Sequence, residues 1–304
     1  MQYRCIQFLV ISLICIQSVP AGKLDLPLAG RDALTDKIPS RPSQALTGSQ
    51  FAGSIAKMDA HQREQAVLNE ILAGDLPDFL RKLVPVELEA KLASGKMVTA
   101  TIFVMPDYLA IGSDADFLRI PMNLHSAAAI AARFGFVLPT RKMVDAIYSQ
   151  SAFHFAPAPM PAGPQMTSTQ FFRMHNETIE RDSKARGIPP GALVSGHKKD
   201  VVLSNRLAKM EGRIAIYGWH RANGAPIQPL STVHGACYED YSHGIRLVSR
   251  TALMDGVPTP IEDILRDSVL AKVLSDEGAM GSALRMFTVP AQGSSAPDTC
   301  LARS

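Results

Sequence analysis

The stretch GRIAIYGWHRANGAPIQPLSTVHGACYEDYSHGIRLVS, from Gly212 to Ser249, decides how the second half of the chain is arranged. Arg213 to Trp219 predicts a strand, and Asn223-Gly224 after it is a strong signal for a hairpin turn. Ala225 to Val233 then predicts the partner strand, and Ile245 to Val248 a further one. Polar residues crowd the ends of these strands, so the same stretch also predicts a functional site.

Helical patterns dominate the first half of the chain and strand patterns the second. In the first half, a helix is predicted after Asp59, another over Asn123 to Phe134, and a third from Thr140. Leu83 to Leu92 and Met97 to Met105 predict a hairpin. The predicted class is α+β, with a mostly antiparallel sheet in the C-terminal half and helices from the N-terminal half packed on it.

The sequence patterns divide the chain into six segments, one of which is rich in proline. Phe155 to Pro164 has proline at nearly every second position, which rules out a helix or a central strand there. Downstream, Pro260 to Leu274 predicts one helix with Thr259 as its N-cap. The predicted segments are a signal peptide (1–21), a flexible lead-in (22–57), a helix-rich lobe with a hairpin (58–155), a proline-rich crossover (156–165), a site-bearing α+β lobe (166–290) and a loose tail (291–304).

The N-terminus predicts export. Arg4 supplies a positive charge, Cys5 to Ile16 is mostly apolar, and Val19-Pro20-Ala21 offers a cleavage site after Ala21. The apolar run is shorter than the ~20 residues that a membrane helix needs. We therefore expect a periplasmic or extracellular protein with no stable membrane span after cleavage.

Composition excludes some functional classes. Of the 304 residues, 46% are apolar and 19% are charged, as in an ordinary folded domain, and the net charge is +3. No block of lysine and arginine stands out, which argues against a nucleic-acid partner.

Two cysteines remain after the predicted cleavage, Cys237 and Cys300. In an oxidising compartment they are expected to form a disulfide that ties the polar tail to the central stretch. The alternative is that Cys237 is a nucleophile.

Several chemically capable side chains lie at predicted strand ends, where they can converge on one cleft. The density of titratable groups there favours a functional cleft over packing alone. The candidate catalytic residues are His234, His243, Asp240, Ser242 and His197. The candidate substrate-binding residues are Lys198, Lys199, Trp219, His220, Tyr238, Tyr241 and Arg246.

Two chemistries fit these residues. His234, Asp240 and His243 could hold a metal, and zinc with three protein ligands activates a hydrolytic water; no other cofactor is indicated. In nucleophilic catalysis, Ser242 is a poor partner for His243, because adjacent residues on a strand point to opposite sides. A nucleophile would instead take its base from His234 or His197.

His234-Gly235, followed by Ser242-His243-Gly244 and Arg246, resembles the HG…SHGC-x-R signature of the L,D-transpeptidases, secreted enzymes that cross-link peptidoglycan. The resemblance covers His234 to Arg246 only. It implies that His234 belongs to the site and that Arg246 helps to hold the substrate. Ile245 stands where the family has its nucleophilic cysteine, and the interval before Ser242 is shorter. An acyl transferase of this kind would have to use Cys237 instead.

The sequence therefore predicts a secreted hydrolase that acts on a cell-envelope polymer such as peptidoglycan, or on a peptide, through a His/Asp-rich cleft. His234 would be general base or ligand, and Lys198, Lys199 and Arg246 would hold an anionic group. One alternative is a non-catalytic carbohydrate- or peptide-binding protein that uses the aromatic residues of the stretch. The other is the acyl transferase based on Cys237.

Overall fold

The computed structural model describes residues 33–287 and Cys300, and for Met286 and Phe287 it describes the backbone alone. The predicted signal peptide and most of the predicted tail lie outside the described residues. The α-helices are α1 (Gly48–Ser54), α2 (Ala60–Leu72), α3 (Leu124–Phe134), α4 (Arg141–Gln150), α5 (Thr169–Ala185), α6 (Ile261–Arg266) and α7 (Ala271–Leu274). All of them are too short or too polar to cross a lipid bilayer.

The strands occur mainly in two runs, β1–β4 and β7–β14, and the mixed α+β class is confirmed. They are β1 (Val84–Lys91), β2 (Met97–Val104), β3 (Ala110–Ser113), β4 (Asp116–Arg119), β5 (Phe136–Val137), β6 (Phe153–His154), β7 (Val194–Ser195), β8 (Lys199–Val201), β9 (Ile216–His220), β10 (Pro226–Ser231), β11 (His243–Gly244), β12 (Val248–Ser249), β13 (Thr251–Met254) and β14 (Val257–Pro260).

The larger sheet is built around β2. Its order is β14-β13-β2-β12-β5, and β1 pairs with β2 along its whole length, which confirms the predicted hairpin. Because β12 and β13 come from the second half of the chain, strands of both halves share this sheet. The sheet is therefore not confined to the C-terminal half, and the stretch 156–165 does not separate two lobes with sheets of their own.

The smaller sheet carries the stretch from Gly212 to Ser249. Its order is β10-β9-β8-β11. The β9–β10 hairpin turns at the predicted Asn223-Gly224, where Gly224 has φ +81°, a conformation that glycine adopts without strain. Strand β11 runs parallel to β8, with His243 opposite Lys199.

Backbone hydrogen bonds connect the two sheets directly. The N–H of Met105 donates to the carbonyl of Leu247 at 3.0 Å, and the N–H of Leu109 donates to that of Ile245 at 2.8 Å. The segment between β11 and β12 therefore lies along the segment that follows β2. This pairing places the polar end of the smaller sheet against the core of the larger one.

The predicted helix starts are present. Asp59, Asn123 and Thr140 cap α2, α3 and α4, each accepting a backbone N–H three residues on.

The helix predicted over Pro260 to Leu274 is wrong in detail, because it divides into α6 and α7. The carboxylate of Asp267 accepts the N–H groups of Val269 and Leu270 at 2.7 and 2.8 Å and so competes with the helical pattern. Thr259 is not an N-cap, since it pairs with Ala252 in the sheet.

The described part of the predicted lead-in is also structured. Residues 48–54 form α1, and Arg41 donates to Asp75 at 2.9 Å and to the carbonyl of Gly112 at 3.0 Å. The carboxyl of Asp75 is fully buried, so this ion pair holds the lead-in on the domain. A composition rich in proline, serine and glycine predicts flexibility, but these long-range contacts hold the described part of the lead-in in place.

One glycine tests the close packing between the sheets. A Cβ at Gly244 would lie 2.6 Å from Cδ1 of Tyr108 and 2.7 Å from Cβ of Lys198. Gly244→Ala should therefore lower the free energy of unfolding by about 1–3 kcal/mol in chemical denaturation. Gly53→Ala is the matched control, because a Cβ there meets nothing within 4 Å and alanine favours the helix. Equal stabilities for the two variants would contradict this packing.

Candidate active site

Strands β8 and β11 bring a lysine and a histidine side by side at one end of the smaller sheet. Lys199 lies opposite His243 in the parallel pair, and the N–H of Lys199 donates to the carbonyl of Ser242 at 2.7 Å. Ahead of β11, the N–H of His243 donates to the carbonyl of Asp240 at 3.0 Å. The turn from Asp240 to His243 therefore presents its side chains to the end of β8.

Asp240 is the centre of this turn. Its Oδ1 accepts the hydroxyl of Ser242 at 2.5 Å and the backbone N–H of Ser242 at 2.8 Å. Its Oδ2 accepts the hydroxyl of Tyr238 at 3.1 Å and lies 3.9 Å from Nε2 of His243. Hydrogen bonds to a carboxylate favour its ionised form, so Asp240 is a fixed negative charge next to an imidazole.

His234 gives this arrangement contact with solvent. Its ring stacks on Tyr238 with centroids 4.2 Å apart, and lies 6.1 Å from the ring of His243. His234 is half-buried, whereas His243 is completely buried. We refer to His234, Tyr238, Asp240, His243 and Lys199 as the acid–base cluster.

The charges of the cluster suit proton transfer at neutral pH. Burial lowers the pKa of His243 to about 4, although the Asp240 carboxylate opposes this shift. Burial also lowers the pKa of His234, again against the pull of Asp240. Burial raises the pKa of Asp240, but His243 and the hydroxyl of Ser242 outweigh it and keep the carboxyl pKa below its usual value. Both imidazoles are therefore neutral acceptors beside an ionised carboxylate.

Polar atoms without hydrogen-bond partners concentrate behind the cluster. Within the part of the chain that the structure describes, both ring nitrogens of His243, both of His175 and the indole nitrogen of Trp219 are buried without a partner. The rings of His175 and Trp219 lie 5.1 and 6.4 Å from the ring of Tyr241. Buried polar atoms of this kind are uncommon in folded proteins.

Trp219 is also strained. Its φ is +54°, in the left-handed region that non-glycine residues rarely adopt, and such backbone costs about 1–3 kcal/mol. The ammonium of Lys199 lies 5.2 Å from the centre of the indole ring. The indole thus helps to position the lysine of the cluster. Trp219 itself is only 5% exposed, so it does not offer a surface to a substrate.

Ser242 and His197 do not have the catalytic geometry that the sequence suggested. The hydroxyl of Ser242 is fully buried and donates to Asp240, so Ser242 orients the carboxylate. His197 is buried with Nε2 3.1 Å from Oδ1 of Asp107 and the edge of Tyr108 against its ring. Ser242 is 0% exposed and His197 1% exposed, so neither side chain is directly accessible to a substrate in this structure.

Lys198 and Arg246 do not hold an external anionic group either. Nζ of Lys198 donates to the carbonyl of Tyr241 at 2.5 Å, and the guanidinium of Arg246 donates to the carbonyls of Met105 and Val194 at 2.8 and 2.7 Å. Each residue is 1% exposed. Of the three cations predicted to hold the substrate, Lys199 is the one at the cluster.

Three of the remaining predicted binding residues, Trp219, His220 and Tyr241, lie in the interior. His220 and Tyr217 approach the carboxylate of Asp145 at 3.1 and 2.8 Å. The hydroxyl of Tyr241 accepts the N–H of Met160 at 2.7 Å and so fixes the proline-rich stretch. His220, Trp219 and Tyr241 therefore support the site from behind, whereas Tyr238 belongs to the acid–base cluster.

The predicted metal ligands do not converge on one point. Among the described residues, the three-residue group whose ligand atoms all lie within 4.8 Å of one another is His125, Cys237 and Cys300, and not His234, Asp240 and His243. Cys237 and Cys300 form a disulfide. Disulfide sulfurs are not thiolates, so this second group is not a zinc site as it stands, and Cys237 has no thiolate for nucleophilic attack.

Sequence reasoning missed a buried charge network that joins β4 to α5. The guanidinium of Arg119 donates to Asp107 at 2.6 Å and to Glu180 at 2.7 Å. Arg119 stands between Leu118 and Ile120 in the sequence, and a single charge in an apolar run is the signal that could have revealed it. Asp145 gave no such signal, because it lies on an amphipathic helix where a solvated carboxylate is common.

Comparisons of the chain with protein-family models, with curated proteins and with solved structures give no significant match. The assignment of function therefore depends on the geometry of the cluster and on the sequence patterns.

Lys198 predicts a specific pH dependence of stability. Burial, reinforced by Arg119, lowers its pKa from 10.5 to about 7. Between these values the unfolded chain binds the proton and the folded protein does not, so this lysine makes stability rise as the pH rises. Lys198→Met removes the proton-binding group.

The free energy of unfolding of the wild type relative to Lys198→Met should thus increase from about pH 7 to about pH 10.5 in urea titrations. Exposed Lys82→Met controls for the general loss of a positive charge. A wild-type advantage over Lys198→Met that stays constant across this range would show that the buried lysine keeps its proton.

Proposed function

We propose that the protein is a secreted hydrolase that acts on a cell-envelope polymer such as peptidoglycan, with His234 as the general base. One observation carries the proposal: His234, half-buried and neutral, stacks on Tyr238, whose hydroxyl donates to the Asp240 carboxylate beside His243. A neutral imidazole near an ionised carboxylate can take a proton from water, and the carboxylate stabilises the imidazolium that results.

The proposed reaction is hydrolysis of an amide. A ring nitrogen of His234 takes one proton from water while the water oxygen bonds to the carbonyl carbon, and the π electrons move to the carbonyl oxygen. The ammonium of Lys199 stabilises that negative oxygen. When the C–O double bond re-forms, the C–N bond breaks and the imidazolium returns its proton to the leaving amine.

The envelope substrate is supported by charge and by sequence. Lys199 and Arg213 both act electrostatically on His234, so an anionic substrate group would be attracted to this end of the sheet. The peptides of peptidoglycan carry such carboxylates. The predicted export and the resemblance of His234 to Arg246 to the transpeptidase signature are the other supports.

The two alternatives predict different products. A carbohydrate- or peptide-binding protein would bind the polymer saturably without changing it. An acyl transferase would join peptides without adding water, but it would need the thiolate of Cys237, which is held in the disulfide. Hydrolysis is therefore the chemistry that the cluster favours.

Mass spectrometry of purified peptidoglycan incubated with the mature protein tests the reaction. We expect fragments that each carry one added water. His234→Ala should slow their release at least ~100-fold, because it removes the general base. His154→Ala is the matched control, since this exposed histidine belongs to β6, outside the sheet that carries the cluster.

The same assay with EDTA, followed by added zinc, decides whether a metal takes part in the reaction. Unchanged polymer under every condition would reject the hydrolase. Saturable binding without turnover would then establish the binding protein.

Asp240→Asn tests the role of the carboxylate. Asp240 raises the pKa of His234 against burial, so its neutralisation should move the acidic limb of the pH–kcat profile to lower pH. The maximal rate should fall about tenfold or more, because the imidazolium loses its counter-ion. Asp182→Asn on the exposed face of α5 controls for charge. A lower rate with an unmoved acidic limb would mean that Asp240 acts only in folding.

A further inference from the structure

A cavity of about 550 Å³ lies between α2, α3 and the segments near residues 210 and 237. Its volume is that of a typical small-molecule site. The acid–base cluster does not use it, and neither the predicted nor the proposed reaction assigns it a role. Its lining residues include Glu64, Leu68, Ala128, Ala129, Met210 and Glu239.

Helical spacing explains how the cavity stays open. On α3, Ala128, Ala129 and Ala132 fall on one stripe, and their small side chains leave room in front of the helix. On α2, Glu64 and Leu68 fall on the facing stripe. The alanine-rich face of α3 therefore leaves space in front of the helix.

Two buried carboxylic acids lie in the wall of the cavity. The lining also includes the exposed side chains of His61, Glu211 and Arg213 and the half-buried His125. Glu64 is 6% exposed, and its Oε1 accepts the N–H of Asn123 at 3.0 Å. Glu239 is 5% exposed, and its Oε1 accepts Nη2 of Arg63 at 2.7 Å. Arg63 therefore interacts with both acidic groups. When Glu64 and Glu239 are both ionised, these three side chains carry a formal net charge of −1.

The cavity and the acid–base cluster share one piece of chain. Ala236, Cys237 and Glu239 line the cavity, whereas Tyr238 and Asp240 belong to the cluster. Residues 236–240 thus form a common wall between the two.

We propose that this cavity is a binding site for a small amphiphile with a hydrocarbon body and a primary ammonium group, which contacts the carboxylates of Glu64 and Glu239. The apolar stripes of α2 and α3 cover the hydrocarbon part. The ammonium supplies three hydrogen-bond donors and the positive charge that the two carboxylates lack.

The energetics favour a cation over an anion or a neutral group. Burial raises the pKa of Glu239 to about 7, and the negative charge of Glu64 raises it further, against the effect of Arg63. Burial likewise raises the pKa of Glu64. Ionising both groups in the empty wall is unfavourable, and a bound ammonium offsets this cost, whereas a bound carboxylate would add to it.

Decylamine, decanol and decanoate are suitable probes, because they share one hydrocarbon chain and differ in the charge of the head group. Their binding to the oxidised wild-type protein is measured by displacement of the neutral fluorescent dye N-phenyl-1-naphthylamine and by titration calorimetry below the micellar concentration. We expect saturable binding of all three to one site, with decylamine at least about tenfold tighter than decanol and decanoate weakest.

Two pairs of variants assign the site. Ala129→Phe should fill the cavity and abolish binding of every probe, whereas Ala185→Phe on the exposed end of α5 should not. Glu239→Gln and Glu64→Gln should each weaken decylamine about tenfold and leave decanol unchanged. Glu89→Gln, exposed on β1, is the charge control. Thermal melting of each variant establishes that it is folded.

Each outcome decides the proposal. Tight decylamine binding that Ala129→Phe abolishes and the two Gln variants weaken supports it. No saturable binding of any probe, or binding that Ala129→Phe leaves intact, overturns the site. Equal affinities for the three head groups, or no effect of either Gln variant, overturns the ammonium group as the recognised feature. No envelope polymer enters these measurements, so their failure is distinct from failure of the proposed hydrolase.

Discussion

The buried guanidinium of Arg246 is the interaction on which the two sheets depend. It donates to the carbonyl of Met105 after β2 and to that of Val194 in β7, and its Nε lies 4.0 Å from Oδ1 of Asp200 in β8. Its plane also lies over the ring of Tyr108, 4.4 Å from the centroid. A buried charge is tolerated only when its partners are all in place, so this one residue fixes four segments of chain relative to one another.

This constraint also explains why the acid–base cluster has a defined shape. Arg246 lies two residues after β11, and the same strand carries His243. On β8, Asp200 faces the guanidinium while Lys199 reaches the cluster and the ring of Trp219. The inward charges therefore hold the strands that carry Lys199 and His243, whereas His234, Tyr238 and Asp240 lie on the segment between β10 and β11. The two strand residues give the cluster a rigid support.

Local features of the fold followed from the sequence, and long-range ones did not. The β1–β2 and β9–β10 hairpins and the N-cap at Asp59 depend on residues close together in the chain, and each was predicted. The pairing of β2 with β12 joins residues more than 140 positions apart in sequence, and no local pattern specifies it.

The candidate site likewise combines features that the sequence predicted with features that depend on the fold. Its place, between His234 and His243, came from the density of titratable side chains. Lys198 and Lys199 are neighbours with the same chemistry, and only the direction of the strand decides that one is buried and the other reaches the cluster. A sequence does not show whether an arginine is exposed or buried, and Arg246 was therefore predicted to bind the substrate. The disulfide, by contrast, joins the two cysteines that composition had already paired.

Nitrogen-detected NMR of the histidine rings across a pH titration tests the central claim, that a carboxylate holds two neutral imidazoles ready to accept a proton. The account predicts that His243 titrates near 4 and that His234 titrates below its usual value. It also predicts that Asp240→Asn lowers both pKa values further, because Asp240 opposes the effect of burial on each. Protonation of His243 at about pH 6, or titrations that Asp240→Asn does not move, would contradict it.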